Sequence, residues 1–179
     1  MNPLSMSGAT PNASASYAAA QSKVALAKAQ DDDVLEMPAS EGFQLQKVPS
    51  LSGLGALRLV SLTGHGLLEF PRSLLELPAL RCVDLSENRL TTIPPDIDRM
   101  TRLADLDLSQ NAIQMIDGEA SEFSQVLPAL FAMQWLTRVV LQKNHIGAGW
   151  QRKLLEFGAK AHVTVLVAGC TEPSAESTS

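Results

Sequence analysis

Three side chains with reactive chemistry stand in the middle of the chain: His65, Cys82 and His145. A histidine and a thiol form a nucleophile pair, or hold zinc, when they are brought together. Here they fall in three different segments of similar sequence, and two of them sit in or beside a turn. Catalysis or metal binding by this set is not expected. The run Asp31-Asp32-Asp33 offers carboxylates. Consecutive residues point in different directions, however, and do not give a cation ligands at defined spacing. The run reads as a solvated linker. The sequence has no Gly-rich phosphate loop, no Cys-x-x-Cys pair and no His-Glu-x-x-His motif. The expectation is a protein without enzymatic activity, cofactor or metal.

The side chains that remain informative are charged: Asp84, Glu87, Asp105 and Asp107, then Arg138 and Lys143. What they can do depends on the elements that hold them. Residues 80–94 read LRCVDLSENRLTTIP, or Leu-x-x-Val-x-Leu-x-x-Asn-x-Leu-x-x-Ile-Pro. Residues 57–71 repeat this as LRLVSLTGHGLLEFP, and LADLDLSQNAIQMID starts at Leu103. A fourth copy, LTRVVLQKNHI, starts at Leu136. The step from Leu57 to Leu80 is 23 residues, from Leu80 to Leu103 again 23, and from Leu103 to Leu136 it is 33. In each copy Leu-x-x-Leu-x-Leu holds a short strand. Val83 and Leu85 point inward while Asp84 and Ser86 point outward. One coil cannot cover its own apolar face, so the coils stack and their strands form a parallel sheet. Asn88, Asn111 and Asn144 mark the turn after each strand. A buried amide there supplies the partners that interior turn backbone needs. His65 occupies the slot in the first copy, and predicts a weaker or more exposed ladder at that end. The segments Pro71-x-x-Leu74-x-x-Leu77 and Pro94-x-x-Ile97-x-x-Met100 repeat apolar residues every third position. That period fits 3₁₀-like or extended turns.

These motifs resemble the leucine-rich-repeat proteins of the 23-residue class, over roughly residues 34–168. The resemblance implies an α/β solenoid: a short horseshoe with parallel strands on the concave face and irregular turns with one helix on the convex side. It also implies that other proteins are bound, usually on the concave face. The last copy resembles the helix-bearing repeats of the ribonuclease-inhibitor type. There Trp150, Leu154 and Phe157 share a helical face, and Gly158 suits the helix C-terminus. His162–Val167 then reads as a closing strand.

Composition sets further bounds. The chain has 179 residues, 45% hydrophobic and only 4% aromatic, so the core is aliphatic. Its net charge of −5 argues against nucleic acid and anionic membranes as partners. No apolar run reaches the length of a membrane span, and no signal peptide is expected. Two isolated cysteines, Cys82 and Cys170, fit a reducing compartment. A cytoplasmic monomer is expected, with the flagellum, cytoskeleton or mitochondrion as alternatives.

The expected division is an N-terminal tail over 1–33, a repeat domain over 34–169 and a C-terminal tail over 170–179. Residues 1 to about 15 read as disordered. Tyr17–Gln30 reads either as a marginal helix in that tail or as a helix capping the first coil. Val34–Met37 reads as a degenerate first strand in an irregular coil. The extra residues of the long third step fall near 117–126. They predict a bulge or helical turn, either partner-specific or neutral.

Outward positions follow from the alternation: Leu59, Ser61, Thr63 and Gly64, then Cys82, Asp84, Ser86 and Glu87. Next come Asp105, Asp107, Ser109 and Gln110, and finally Arg138, Val140, Gln142 and Lys143. The middle of this face is expected to be acidic and its C-terminal side basic. These side chains are not expected to be needed for folding. The acids serve either solubility or a basic patch on a partner. The expected partner-binding set is Asp84, Ser86, Glu87, Asp105, Asp107, Ser109, Arg138 and Lys143. The expected function is an adaptor or regulatory subunit. The alternative is a structural component of a cytoskeletal, flagellar or ribonucleoprotein assembly.

Overall fold

The computed structural model describes residues 13–39, 44–117 and 123–171. Six short strands form one parallel sheet, in the order β1, β2, β3, β4, β6, β8. They are β1 (Val34–Glu36), β2 (Leu59–Ser61), β3 (Cys82–Asp84), β4 (Asp105–Asp107), β6 (Arg138–Val140) and β8 (Thr164–Leu166). A second pair, β5 (Gln114–Met115) and β7 (His145–Ile146), runs parallel behind the turns.

The register keeps equivalent positions of each coil side by side. Leu35, Val60, Val83, Leu106, Val139 and Val165 form one inward row. All six are buried. Leu62, Leu85, Leu108 and Leu141 form the next row, each 0 or 1% exposed. Burying a leucine contributes roughly 1.5–3 kcal/mol, so these rows are the main cohesive force between coils.

The return segments wind as 3₁₀ turns at Arg72–Glu76 and Ile97–Arg99. The three-residue period anticipated this geometry, because side chains at i and i+3 eclipse in such a turn. The third return differs. It forms the α-helix α2 (Phe123–Phe131), whose Phe123, Val126, Leu127 and Leu130 are buried. Of the inserted stretch, residues 123–126 form the first turn of this helix, the helical one of the two expected alternatives. Glu119, Ser121 and Glu122 lie outside the described residues.

Helix α1 (Ala13–Gln30) covers the N-terminal end of the stack. Ala20, Val24 and Ala27 recur on one face and are buried in the common core. Residues 13–15 belong to this helix, not to a disordered stretch, and residues 1–12 lie outside the described residues. Asp31, at φ 53°, ends the helix, and the N–H of Asp32 bonds the carbonyl of Ala27. This is the C-terminal geometry in which a left-handed residue lets the next N–H satisfy an orphan carbonyl.

Helix α3 (Ala148–Ala161) covers the other end, with Trp150 and Leu154 buried. Gly158 is not its terminator. The helix runs on to Ala161, and His162 takes the left-handed position at φ 59°. Gly158 is instead a packing glycine. A Cβ there would stand 2.5 Å from Val165 Cγ2 and 2.7 Å from the carbonyl oxygen of Val163. The helix N-terminus is capped from another coil. Asp117 accepts the N–H of Gly149 at 2.7 Å and the N–H of Trp150 at 2.9 Å.

Candidate protein-binding face

The turns after the strands decide how the outward face is held. Asn111 shows the pattern. Its amide donates to the carbonyls of Leu85, Leu108 and Ser109 and accepts the N–H of Leu90. Asn88 and Asn144 make the equivalent bonds one coil back and one coil on. Each thus ties its own turn to the preceding coil, and the three are 1–7% exposed.

His65 departs from the expectation. It is 2% exposed, not more open than the asparagines. Its Nδ1 accepts the N–H of Leu45 at 3.2 Å, and its Nε2 bonds the carbonyl of Met37. The preceding coil is irregular, and the longer imidazole joins two of its distant backbone groups. Burial pushes the His65 pKa down, with the Met37 carbonyl partly opposing.

On the outward face two rows lie in register. The first is Val34, Leu59, Cys82, Asp105, Arg138 and Thr164. The second is Glu36, Ser61, Asp84, Asp107, Val140 and Leu166. Adjacent members stand about 4.8 Å apart. Asp105 is committed to a neighbour. Its two carboxylate oxygens accept Arg138 Nη1 at 3.2 and 3.0 Å. That bond, with Asp107 and Asp84 nearby, raises the Arg138 pKa. So the acidic middle and the basic side are joined by an ion pair rather than separate.

Asp84 and Asp107 are held differently. Asp84 Oδ1 accepts the N–H of Ser86 at 2.9 Å and its hydroxyl at 2.7 Å. Asp107 does the same with Ser109, at 2.9 and 2.7 Å. These bonds close each turn, so the two aspartates help the fold, contrary to the expectation from alternation. They also fix where the charge sits.

Four further outward positions are corrected. Val140 is 1% exposed and belongs to the buried set. Glu87, Gln110 and Lys143 are exposed, yet they are turn residues with φ 54–59° rather than strand residues. The first coil places Gly64 there at φ 78°, the cheaper choice for a left-handed backbone. Gln110 Nε2 still reaches Glu87 Oε1 at 3.1 Å, so the turn row is continuous with the face.

The reactive side chains are not gathered. His65 lies within the turn core, and His145 bonds Thr171 Oγ1 at 2.9 Å. Burial, then the Asp105 charge, pushes the Cys82 thiol up, away from a reactive thiolate. Among the described residues no group of three His, Cys, Asp or Glu is placed to hold a metal. No described helix is long and apolar enough to cross a membrane.

No protein-family model matches the chain, and no curated protein matches it. Solved structures do. A leucine-rich-repeat protein of Leptospira interrogans is similar with a TM-score of 0.52 at 21% identity, over 73% of this chain and 36% of that one. An internalin of Listeria monocytogenes is similar with a TM-score of 0.54 at 14% identity, over 86% of this chain and 46% of that one. This chain spans less than half the length of either. Neither likeness ties the last coil to the ribonuclease-inhibitor type. With its in-register coils, its asparagine ladder and these structural counterparts, the chain is a leucine-rich-repeat solenoid.

Proposed function

We propose that the protein is a non-enzymatic interaction module of a reducing, cytoplasmic compartment. It acts as an adaptor or regulatory subunit that holds a basic element of another protein on its outward sheet face. The observation that carries this reading is the pair Asp84 and Asp107. They stand side by side on β3 and β4, each clamped by the serine two residues on. Like charges on adjacent strands are mildly destabilising. Clamping both adds two bonds to each turn and presents two oriented carboxylates with little freedom left to lose on binding. Arg138 neutralises Asp105, so the unmatched charge concentrates at this pair and at Glu87. Two unpaired cysteines support a reducing setting.

The test is capture from a cell lysate with the wild-type chain and with Asp84→Asn, Asp107→Asn. The amide keeps a side-chain oxygen for the serine bonds and removes the charge. The expected result is a partner recovered by the wild type, eluted by salt and lost with the double variant. Equal recovery by the variant would overturn the assignment of this face. Recovery only within an insoluble cytoskeletal fraction would favour a structural part in a large assembly.

A further inference from the structure

The edge of the sheet where each strand begins carries charge of both signs. The residues one step before the outward strands are Asp33, Arg58, Arg81 and Ala104. Their backbones join in sequence: Arg58 N–H to Asp33 O at 2.7 Å, Arg81 N–H to Arg58 O at 2.8 Å, and Ala104 N–H to Arg81 O at 2.8 Å. Arg58 and Arg81 are therefore neighbours at strand spacing, and both are exposed. Arg102 lines the same polar hollow of about 480 Å3, as do Asp31, Asp32 and Asp33. The small side chains of Ala56 and Ala79 keep the space between open.

Two features make this more than scattered surface charge. Among the described residues the ion pairs involve Arg72, Arg99 and Arg138, and none of the three arginines here. Like charges on neighbouring strands are mildly destabilising, and in this row Asp33 adjoins Arg58 but not Arg81. The acidic wall is also fixed. Asp31 and Asp32 form the C-terminal cap of α1, and the Asp33 carbonyl is held by the N–H groups of Arg58 and Leu59.

We propose that this rim docks a short acidic segment of a protein partner, followed closely by a basic residue. The carboxylates of the segment bridge Arg58, Arg81 and Arg102, where planar guanidiniums match carboxylates in pairs. The basic residue meets the aspartate wall. The same wall argues for a peptide over nucleic acid, because a continuous polyanion would run into three aspartates. The site is distinct from the Asp84–Asp107 face and does not depend on that reading.

The experiment titrates the full chain with labelled peptides. One carries glutamates then lysines, one carries glutamates only, and one is a scramble with the charges interspersed. A single-stranded oligonucleotide is run beside them. The expected result is saturable, salt-sensitive binding of the first peptide, weakened at least about tenfold by Arg58→Glu with Arg81→Glu. Asp84→Asn, Asp107→Asn should leave that affinity unchanged. Asp31→Asn with Asp33→Asn should strengthen the all-glutamate peptide relative to the mixed one. The side chains of Arg58, Arg81, Asp31 and Asp33 are exposed, those of Asp84 and Asp107 half-buried, and a circular dichroism melt checks that each variant is folded. Equal binding of the scramble, or no effect of the arginine reversals, overturns the proposal. So does tighter binding of the oligonucleotide, which would assign the rim to nucleic acid.

Discussion

The carboxylate of Asp117 accepts the backbone N–H of Trp150 across 33 residues, while the indole N–H of the same Trp150 donates to the carbonyl of Ile116. The third coil thus both caps and grips the helix that closes the stack. Removing a helix cap costs about 0.5–2 kcal/mol. Asp117→Ala should therefore lower stability by about that amount in denaturant titrations. Asp117→Asn should lose less, because one oxygen remains. Gly149→Ala places a Cβ 2.5 Å from Asp117 Oδ1 and disrupts the same contact. Its effect should be less than additive with Asp117→Ala in a double-mutant cycle.

Neighbouring residues at one turn should behave very differently. Asn111→Ala deletes four hydrogen bonds to backbone of its own and the preceding coil, and leaves buried groups unpaired, at about 1–3 kcal/mol or more. Gln110→Ala touches an exposed side chain and should stay within about 0.5 kcal/mol. Equal unfolding midpoints for the two variants would contradict the bonding described for Asn111.

At Gly158 two effects oppose. Alanine gains up to about 1 kcal/mol in helix propensity. Its Cβ, however, would press on Val165 and on the carbonyl oxygen of Val163, and overpacking of that kind costs about 1–3 kcal/mol. The backbone contact cannot swing away, so the clash wins. Gly158→Ala should lower the melting temperature, whereas Ala159→Gly, at an exposed helical position, should cost no more than the propensity difference.

His65 should make stability depend on pH. Its folded pKa lies below the ordinary value of about 6.5, chiefly because of burial. Below 6.5 the unfolded chain takes up a proton that the folded one refuses. The contribution is complete above 6.5 and is lost as pH falls toward the folded pKa, with a slope of at most about 1.4 kcal/mol per pH unit. His65→Asn should flatten that slope. It should also destabilise at neutral pH, since the shorter side chain cannot span Met37 and Leu45. An unchanged slope would place the titration elsewhere.

The clamped aspartates separate fold from charge. Asp84→Ala with Asp107→Ala should cost about 1–2 kcal/mol, because four hydrogen bonds at half-exposed sites are lost. Asp84→Asn with Asp107→Asn should cost much less. Chemical denaturation of both pairs checks this directly.

The spacing of leucines and asparagines made the sheet, its register and its inward rows legible, because each depends on a local pattern repeated in phase. What escaped the sequence depends on contacts across coils. Asp117 reads as the start of an insertion until α3 is laid against it. Gly158 reads as a helix end until Val163 and Val165 return beneath it. His65 looked like a weak rung, since a composition rule for the slot says nothing of how far the preceding backbone lies. Arg138 and Asp105 read as separate patches because their pairing crosses 33 residues. Arg58 and Arg81 fall just before each strand, outside the alternation used to list outward residues.

The interchangeable bonds of Asn88 and Asn111 have a consequence for how such a gene can lengthen or shorten. Asn88 anchors to the Leu62 carbonyl and Asn111 to the Leu85 carbonyl, its equivalent one coil later. Excising residues 80–102 would deliver Asn111 to Leu62 in an unchanged setting, while α1 and α3 still cover the two ends. Losses or duplications of whole coils keep every rung matched, whereas a deletion of a few residues leaves a turn without its anchor. The molecule can therefore change its reach only in whole units, and each unit gained or lost alters the spacing between charged rim and closing helix by one strand width.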